Sequence, residues 1–213
     1  MVEKRKCMII GSVPFRSAKV FREFQPEDYF VICADGGYET AVKFHITPDL
    51  VVGDFDSLKI PLPDSVRKIT LPVDKDVTDT MYAVMKAVGA GFNDFVLIGC
   101  LGGARFDHSY AALEVLKYIL DCGAMGVLAD DKTKIILVKN SRLTITESQG
   151  ATLSVFPFAG ATCNVTYYGV RYPLTAKTLS CGGTLMGVSN QITEETARVV
   201  VHTGTALIML YQE

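Results

Sequence analysis

Two kinds of apolar pattern alternate through the first two thirds of the chain. Unbroken apolar runs such as 30–34 and 95–98 are typical of strands that are covered on both faces. Between such runs, apolar residues recur three and four positions apart, as Met81, Val84 and Val88 do. That spacing is typical of a helix with one buried face, so the pattern predicts strands and helices in turn.

The predicted elements can be placed along the sequence. The predicted strands are 7–11, 29–34, 50–53, 67–71, 95–100, 126–129 and 134–138. The predicted helices are 17–24, 38–44, 78–88 and 109–121. This order indicates an α/β fold in which a parallel sheet is flanked by helices, as in Rossmann-like proteins.

The pattern changes near Lys139, and beyond it we expect an antiparallel β-sandwich domain. From Ser141 onward no stretch indicates a convincing helix, and β-rich runs predict strands at 143–146, 152–156, 162–167, 197–202 and 206–211. The turn at 202–205, which contains Gly204, predicts a hairpin between the last two strands. The expected domains are therefore 1–139 and 140–213. The second is small enough to need cover from the first domain or from another subunit.

Composition excludes several classes of protein. The chain has 213 residues, and its 21 Lys and Arg nearly balance its 23 Asp and Glu, which argues against a nucleic-acid partner. No apolar stretch approaches the roughly 20 residues of a membrane span, and the apolar run at 7–10 is too short for a signal peptide. The six cysteines form no C-x-x-C pair, so we expect reduced thiols and a cytoplasmic location.

Acidic residues gather where the predicted parallel strands end. Ligands of open parallel sheets bind outside the carboxyl ends of the strands, so these ends are where chemistry is expected. In an extended segment, Asp54 and Asp56 would point to the same side. Such a pair suits Mg²⁺, which binds a few carboxylates together with phosphate oxygens. Asp35 and Asp79 follow neighbouring strands. The alternative is that each Asp only caps a turn or a helix. For Asp76, capping and a role in the site are equally well supported by the sequence.

Glycines and cations lie in the same loops. The pairs Gly36–Gly37 and Gly102–Gly103 precede helices, where backbone N–H groups can approach an anion, although such pairs are often only turns. Lys75 and Arg105 can bind phosphate oxygens. Asp107 either caps the helix that follows or acts in the site, and His108 is a weak candidate for a general base. With no P-loop motif and no G-x-G-x-x-G, these residues indicate a Mg²⁺-dependent phosphoryl-type transferase.

These loops resemble motifs of the thiamine pyrophosphokinase family. The matching segments are 35–37 (D-G-G), 48–57 (P-D-L-V-V-G-D-F-D-S), 75–79 (K-D-V-T-D), 105–108 (R-F-D-H) and, in the second domain, 187–190 (G-V-S-N). The resemblance covers roughly residues 7–211 and implies that the hydroxyl of thiamine attacks the β-phosphorus of ATP, giving thiamine diphosphate and AMP. It also implies a homodimer whose active sites lie between one subunit's α/β domain and the other's β domain.

The resemblance assigns roles to particular residues. Asp54, Asp56 and Asp79 would hold Mg²⁺, with Asp35 close by. Residues for ATP would be Gly36, Lys75, Thr78, Gly102, Gly103, Arg105 and Asp107, the last of which would orient Arg105 or contact the nucleotide. Ser189 and Asn190 would hydrogen-bond thiamine. The sequence departs from the family pattern at Ala104 and Ala112, and it has no Trp, so a Tyr or Phe must replace the Trp that some members stack near thiamine.

Three other functions fit part of this pattern. The D-x-D form of residues 54–56 is shared with phosphohydrolases that use an Asp nucleophile, but those motifs end the first strand of their domain. A non-catalytic thiamine or nucleotide sensor is expected to lack metal carboxylates, which this chain keeps. An NAD-dependent oxidoreductase is disfavoured because its glycine fingerprint is absent.

Overall fold

The computed structural model describes residues 4–14, 17–56, 58–72, 74 and 76–213. The chain divides into two compact units, Met1–Asp131 and Lys132–Glu213. Each unit is described on its own below.

The first unit contains a parallel sheet, as predicted. In its described residues the strands are β1 (Lys6–Ile10), β2 (Phe30–Ala34), β3 (Leu50–Gly53), β4 (Lys68–Thr70), β5 (Asp94–Ile98) and β6 (Met125–Ala129). They lie in the order β6-β5-β1-β2-β3-β4, and each pairs in parallel with its neighbour. The chain builds the sheet in one direction from β1 to β4 and then returns to the other side of β1. The strand order therefore reverses between β1 and β5.

The helices follow the strands in the expected order. They are α1 (Lys19–Glu23), α2 (Gly37–Lys43), α3 (Asp79–Gly89) and α4 (Phe106–Asp121), with a short 3-10 helix at Pro26–Asp28. Helix α3 starts sharply because the hydroxyl of Thr78 accepts a hydrogen bond from the backbone N–H of Met81, at 3.1 Å. Helix α4 begins at Phe106, three residues before the predicted start, so Asp107 lies in its first turn rather than at its cap.

Burial on both faces explains the unbroken apolar runs of this sheet. Successive residues such as Met8, Ile9 and Ile10 in β1, or Leu97 and Ile98 in β5, are all fully buried. A half-exposed strand would alternate between buried and exposed positions. The described part of the chain holds no helix long and apolar enough to cross a lipid bilayer.

The second unit is an antiparallel β structure of two sheets. The strands of its described residues are β7 (Thr133–Lys139), β8 (Arg142–Thr146), β9 (Thr152–Pro157), β10 (Thr162–Tyr168), β11 (Lys177–Ser180), β12 (Asn190–Gln191), β13 (Thr196–Thr203) and β14 (Thr205–Tyr211). Within the unit, one set runs in the order β12-β9-β14-β7 and the other in the order β11-β10-β13-β8. Their apolar residues, such as Leu153, Val165 and Val199, form a common core.

The predicted hairpin between the last two strands is wrong. Strand β13 pairs with β10 and β8, whereas β14 pairs with β7 and β9. Gly204, with φ at +85°, therefore turns the chain from one sheet to the other. Strand β13 alternates between buried and exposed residues, whereas β14 is buried along most of its length, and neither pattern identifies the strand with which it pairs. The pattern alone could not distinguish these arrangements.

Candidate functional site

The loops after β1 and β5 meet at the point where the strand order reverses. The N–H of Gly11 donates to the carbonyl of Ile98 at 2.7 Å, and the N–H of Val13 donates to that of Gly99 at 2.9 Å. A Cβ on Gly11 would lie 2.5 Å from the oxygen of Gly99, so only glycine fits there. A crevice at such a reversal point is the usual ligand site of an open parallel sheet.

A small pocket of about 40 Å³ opens at this crevice. Hydroxyl-bearing residues Ser12, Thr78 and Thr80 line it, together with His108 and apolar residues of α4 that include Ala112. Thr78 was predicted as a site residue, whereas Ser12 and Thr80 were missed. Their positions directly after β1 and in the first turn of α3 are the signals that could have identified them.

Cys100 also lines this pocket, but its thiol is not a nucleophile there. Its side chain is buried, and burial raises its pKa to about 12. It is therefore a neutral thiol near neutral pH and serves as packing.

Asp35 lies directly beside the end of β3. Its N–H donates to the carbonyl of Val52 at 2.7 Å, and its backbone takes the left-handed conformation, with φ at +46°. A Cβ on Gly53 would approach the Cα of Asp35 to 3.1 Å. The ends of β2 and β3, which carry Asp35 and Asp54, are thus adjacent, as expected for neighbouring strands.

Asp54 and Asp56 form a turn rather than the extended segment that the sequence suggested. Phe55 between them has φ at +64°, and the N–H of Asp56 donates to Oδ1 of Asp54 at 3.2 Å. Asp54 is half-buried and Asp56 is exposed. The turn has a local cause, because an Asp side chain readily accepts a hydrogen bond from the backbone two residues later and closes a turn.

The other predicted metal ligand, Asp79, begins α3 directly after the capping residue Thr78. Among the described residues, no three His, Cys, Asp or Glu side chains gather into a group that could hold a metal ion. The ligand set of Asp54, Asp56 and Asp79 therefore stays a prediction. The prediction for Lys75 lies outside the described residues.

Arg105 is held by Asp107 two residues away. The Nε of Arg105 donates to Oδ1 of Asp107 at 3.2 Å, and its Nη2 donates to Oδ2. These hydrogen bonds from the guanidinium lower the pKa of Asp107 below its usual value. Both side chains are exposed. The pair thus fixes the direction of the guanidinium, and a role of Asp107 in orienting Arg105 toward a nucleotide stays a prediction.

The glycine pair before Arg105 supplies the unusual backbone of this loop. Gly102 and Gly103 both have positive φ, at +78° and +80°, whereas Ala104 does not. Alanine at 104 is therefore compatible with this loop. The N–H of Gly102 donates to the hydroxyl of Ser109 at 2.9 Å, so that amide is already engaged. Sequence analysis missed Ser109.

The earlier glycine pair has a packing explanation. A Cβ on Gly37 would lie 1.9 Å from the carbonyl oxygen of Ile10, so α2 can approach β1 only with glycine there. A Cβ on Gly36 would lie 3.1 Å from that of Ser12 in the pocket. Neither glycine has positive φ. An anion-binding role for Gly36 stays a prediction.

In the second unit, the segment 187–190 is fixed against β9. The N–H of Val155 donates to the carbonyl of Gly187 at 2.6 Å, and the N–H of Ser189 donates to the hydroxyl of Ser154 at 3.1 Å. A Cβ on Gly187 would lie 2.1 Å from the carbonyl oxygen of Val155. Ser189 itself is exposed and has φ at +57°. Close packing of Gly187 thus presents Ser189 at the surface.

Asn190 and Tyr172 form a linked pair next to Ser189. Asn190 is only 7% exposed, and its side-chain amide is hydrogen-bonded to both backbone polar groups of Tyr172. Tyr172 itself is 60% exposed. Sequence analysis expected an aromatic to replace the missing Trp but did not identify Tyr172. Its link to Asn190 is visible only in the structure.

Two family models match the chain, one in each unit. "Thiamin pyrophosphokinase, catalytic domain" matches residues 21–125, and "Thiamin pyrophosphokinase, vitamin B1 binding domain" matches residues 140–208. Together they account for most of the chain, in the order that the sequence motifs predicted.

Individual proteins show the same similarity. "Thiamin pyrophosphokinase 1" of Caenorhabditis elegans is 25% identical over 189 residues, which are 83% of this chain and 76% of that protein.

Solved structures share the fold. The thiamine pyrophosphokinase of Bacillus subtilis superposes with a TM-score of 0.84 at 21% identity, over 98% of this chain and 100% of the other. The enzyme of Geobacillus thermodenitrificans superposes with a TM-score of 0.83 at 24% identity, over 98% of each chain. The thiamin pyrophosphokinase of Candida albicans superposes with a TM-score of 0.80 at 15% identity, over 99% of this chain and 90% of the other. The predicted fold class is confirmed by these superpositions.

Proposed function

The chain belongs to the thiamin pyrophosphokinase family, and on that premise we propose that it is an enzyme that transfers the diphosphoryl group of ATP to thiamine. The products are thiamine diphosphate and AMP. The observation that carries this proposal is the match of a catalytic and a vitamin B1 binding model to successive parts of the chain.

The reaction is a single displacement at phosphorus. The thiamine hydroxyl oxygen forms a bond to the β-phosphorus, the bond from that phosphorus to the oxygen of the α-phosphate breaks, and AMP leaves with the bond electrons. The hydroxyl proton passes to one of the carboxylates Asp35, Asp54, Asp56 and Asp79. Such transfers need little covalent help, so alignment and charge neutralisation supply most of the acceleration.

The nucleotide side of the site belongs to the first unit. Arg105, oriented by Asp107, faces the phosphates, and the amide of Gly103 with the hydroxyl of Thr78 completes their surroundings. Support for this comes from the crevice between the ends of β1 and β5, which Thr78 lines. The family resemblance adds Gly36, Gly102 and Lys75 to the same side.

A Mg²⁺ ion fits the donor chemistry of the strand ends. Asp54 and Asp56 offer hard carboxylate oxygens from one turn, and Asp79 would add a third. Mg²⁺ usually takes one or two protein carboxylates and completes its shell with water and substrate phosphate, so a full protein cage is not required. When bound, the ion would neutralise charge on the transferred phosphates. Asp35, at the neighbouring strand end, would place one more carboxylate near the ion.

The thiamine side of the site belongs to the second unit. The exposed hydroxyl of Ser189 would hydrogen-bond the substrate, and the ring of Tyr172 would take the place of the missing Trp. Asn190 lies between them and already spends most of its hydrogen-bonding capacity on the protein.

We extend the proposal to assembly and location. The chain would form a homodimer in which the α/β unit of one subunit and the β unit of the other complete each active site. The six cysteines are all free thiols, which supports a reducing, cytoplasmic location.

The proposal is tested by the formation of thiamine diphosphate. Purified protein is incubated with thiamine, ATP and Mg²⁺, and thiamine diphosphate is quantified after chromatography. We expect it to accumulate, to stop when EDTA removes the divalent ion, and to resume with excess Mg²⁺. Failure to form thiamine diphosphate in the complete mixture would refute the proposal.

A further inference from the structure

Asn190 lies between two neighbouring segments of the second unit. On one side it pairs with Leu153 of β9. On the other side, the segment 170–172 runs antiparallel to it, through a bridge between Val170 and Ile192 and a hydrogen bond from the N–H of Arg171 to the carbonyl of Gln191 at 2.8 Å. At 7% exposure, Asn190 is nearly enclosed by these neighbours.

The side chain of Asn190 is almost fully committed to backbone groups. Its Oδ1 accepts from the N–H of Tyr172 at 3.0 Å and from that of Gln191 at 2.9 Å. Its Nδ2 donates to the carbonyl of Tyr172 at 2.8 Å. An amide side chain offers two acceptor positions and two N–H donors, so three of the four are used inside the protein. Little remains with which to bind a substrate.

The residue held by these bonds is exposed. Both backbone polar groups of Tyr172 are fixed by one side chain, whereas the residue as a whole is 60% exposed. The guanidinium of Arg171 lies 5.5 Å from the ring centroid. Because this guanidinium covers one side of the ring, a cationic ring of a ligand would pack against the remaining exposed side. The fixed backbone of Tyr172 lowers the entropic cost of that contact.

We propose that Asn190 is a positioning residue that acts on thiamine only through Tyr172. Asn190 holds the backbone of Tyr172, and the ring of Tyr172 packs against the cationic heterocycle of the substrate. Tyr172 then determines the affinity for the positively charged ligand, and Asn190 determines the position of the Tyr172 ring. This inference rests on the proposed function, because it requires thiamine to bind beside Ser189.

A double-mutant cycle separates this role from direct contact. Thiamine affinity is measured by calorimetry for the wild type, Asn190→Ala, Tyr172→Ala and the double variant. We expect Tyr172→Ala to weaken binding about tenfold and Asn190→Ala to weaken it by a smaller factor. The double variant should bind no more weakly than Tyr172→Ala alone, because the two residues act as one unit. Additive losses would show that Asn190 touches thiamine itself and would overturn the proposal.

Matched variants control for exposure and folding. Tyr168→Ala removes another exposed tyrosine of the same unit, 55% exposed, and should leave thiamine affinity unchanged. Tyr172→Phe keeps the ring and should retain affinity within about twofold. If Asn190→Ala does not fold, as judged by circular dichroism, Asn190→Asp replaces it, because it keeps the acceptor for the Tyr172 N–H and loses the donor. The KM for ATP should stay constant in each variant.

Two outcomes distinguish this inference from the proposed function. Normal thiamine binding by Tyr172→Ala, with the wild type active, overturns only the role of Tyr172 and Asn190. A wild type that neither binds thiamine nor forms thiamine diphosphate overturns both.

Discussion

Asp107 and Arg105 show how a single pair of side chains sets the direction of a cation in the loop that we propose to face phosphate. Asp107 accepts two hydrogen bonds from the guanidinium, so the direction of Arg105 is set before any ligand arrives. Because both groups are exposed, the pair adds little to stability. Its value lies in orientation, and its effects should therefore appear in substrate binding rather than in unfolding.

The pH dependence of ATP binding tests this pair. Arg105 lowers the pKa of Asp107, so the carboxylate stays charged to lower pH than an ordinary Asp, and the pair is lost as pH falls through the lowered pKa. We expect Asp107→Asn to raise the KM for ATP several-fold at neutral pH. In the wild type, no rise attributable to this pair should occur between pH 7 and about 5. Equal KM values for the variant and the wild type would contradict this role.

A second prediction for single residues concerns the loss of activity when the carboxylate of Asp54 or Asp56 is removed. Asp54→Asn or Asp56→Asn keeps the shape of the turn but removes charge that a divalent ion requires. We expect kcat to fall by at least about 100-fold while circular dichroism and thermal unfolding stay close to the wild type. The matched control is Asp64→Asn, an exposed Asp elsewhere in the same unit, which should remain active. Wild-type activity in Asp54→Asn would exclude the metal role.

At the scale of elements, close backbone approach sets where helices and loops can lie. Helix α2 packs so near β1 that a Cβ on Gly37 would lie 1.9 Å from the carbonyl oxygen of Ile10. The same effect fixes Gly11 against the loop after β5 and Gly187 against β9. Glycine is therefore required in these three places for steric reasons, whatever the ligand.

A pair of glycine substitutions tests this packing. Gly37→Ala should destabilise the protein by about 1–3 kcal/mol, because the methyl group forces α2 away from β1. Gly89→Ala, at the end of α3, meets no atom within 4 Å and should be neutral or slightly stabilising. Urea unfolding of the two variants gives the comparison. Equal stability of Gly37→Ala and the wild type would contradict the close approach.

The sequence was a good guide to elements whose burial leaves a clear pattern. The buried strands β1, β2, β3 and β5 were predicted within about one or two residues, because an unbroken apolar run of this length is typical of a strand covered on both faces. The short strands β11 and β12 were missed, since four and two residues carry too little pattern. The partners of β13 and β14 were mistaken because an apolar pattern shows which side chains are buried and does not identify the neighbouring strand.

The candidate site was predictable to a similar extent. Strand-end acidic residues and the glycine pair at 102 and 103 could be identified because their positions follow from strand order. The engagement of the Gly102 amide by Ser109, and of the Asn190 amide by Tyr172, depends on side-chain contacts that no spacing reveals. Sequence therefore located the loops, and the structure determined which atoms remain available.

At the scale of the whole molecule, the exposure of the six cysteines shows which parts of each unit are shielded from solvent. Four of the six are buried, Cys7, Cys33, Cys100 and Cys163, whereas Cys122 and Cys181 are exposed. Burial raises the pKa of Cys33 and Cys100 to about 12 and that of Cys163 to about 11, so these thiols stay protonated near neutral pH. Such a thiol resists alkylation for two reasons: it is not the reactive thiolate, and the reagent cannot reach it.

Alkylation followed by mass spectrometry tests that arrangement. Iodoacetamide at about pH 8 should modify two cysteines in the native protein and all six in denaturant, because only Cys122 and Cys181 are exposed. Peptide mapping identifies the positions. Rapid labelling of Cys33 or Cys100 in the folded protein would contradict the closed core of the first unit.

Transfer of two phosphoryl groups at once is the central claim, and the nucleotide product tests it most directly. The protein is incubated with Mg²⁺ and ATP, with and without thiamine, and the nucleotides are separated by anion-exchange chromatography. The account predicts AMP only when thiamine is present, in amounts equal to the thiamine diphosphate formed. ADP as the product, or phosphate release that does not depend on thiamine, would contradict it.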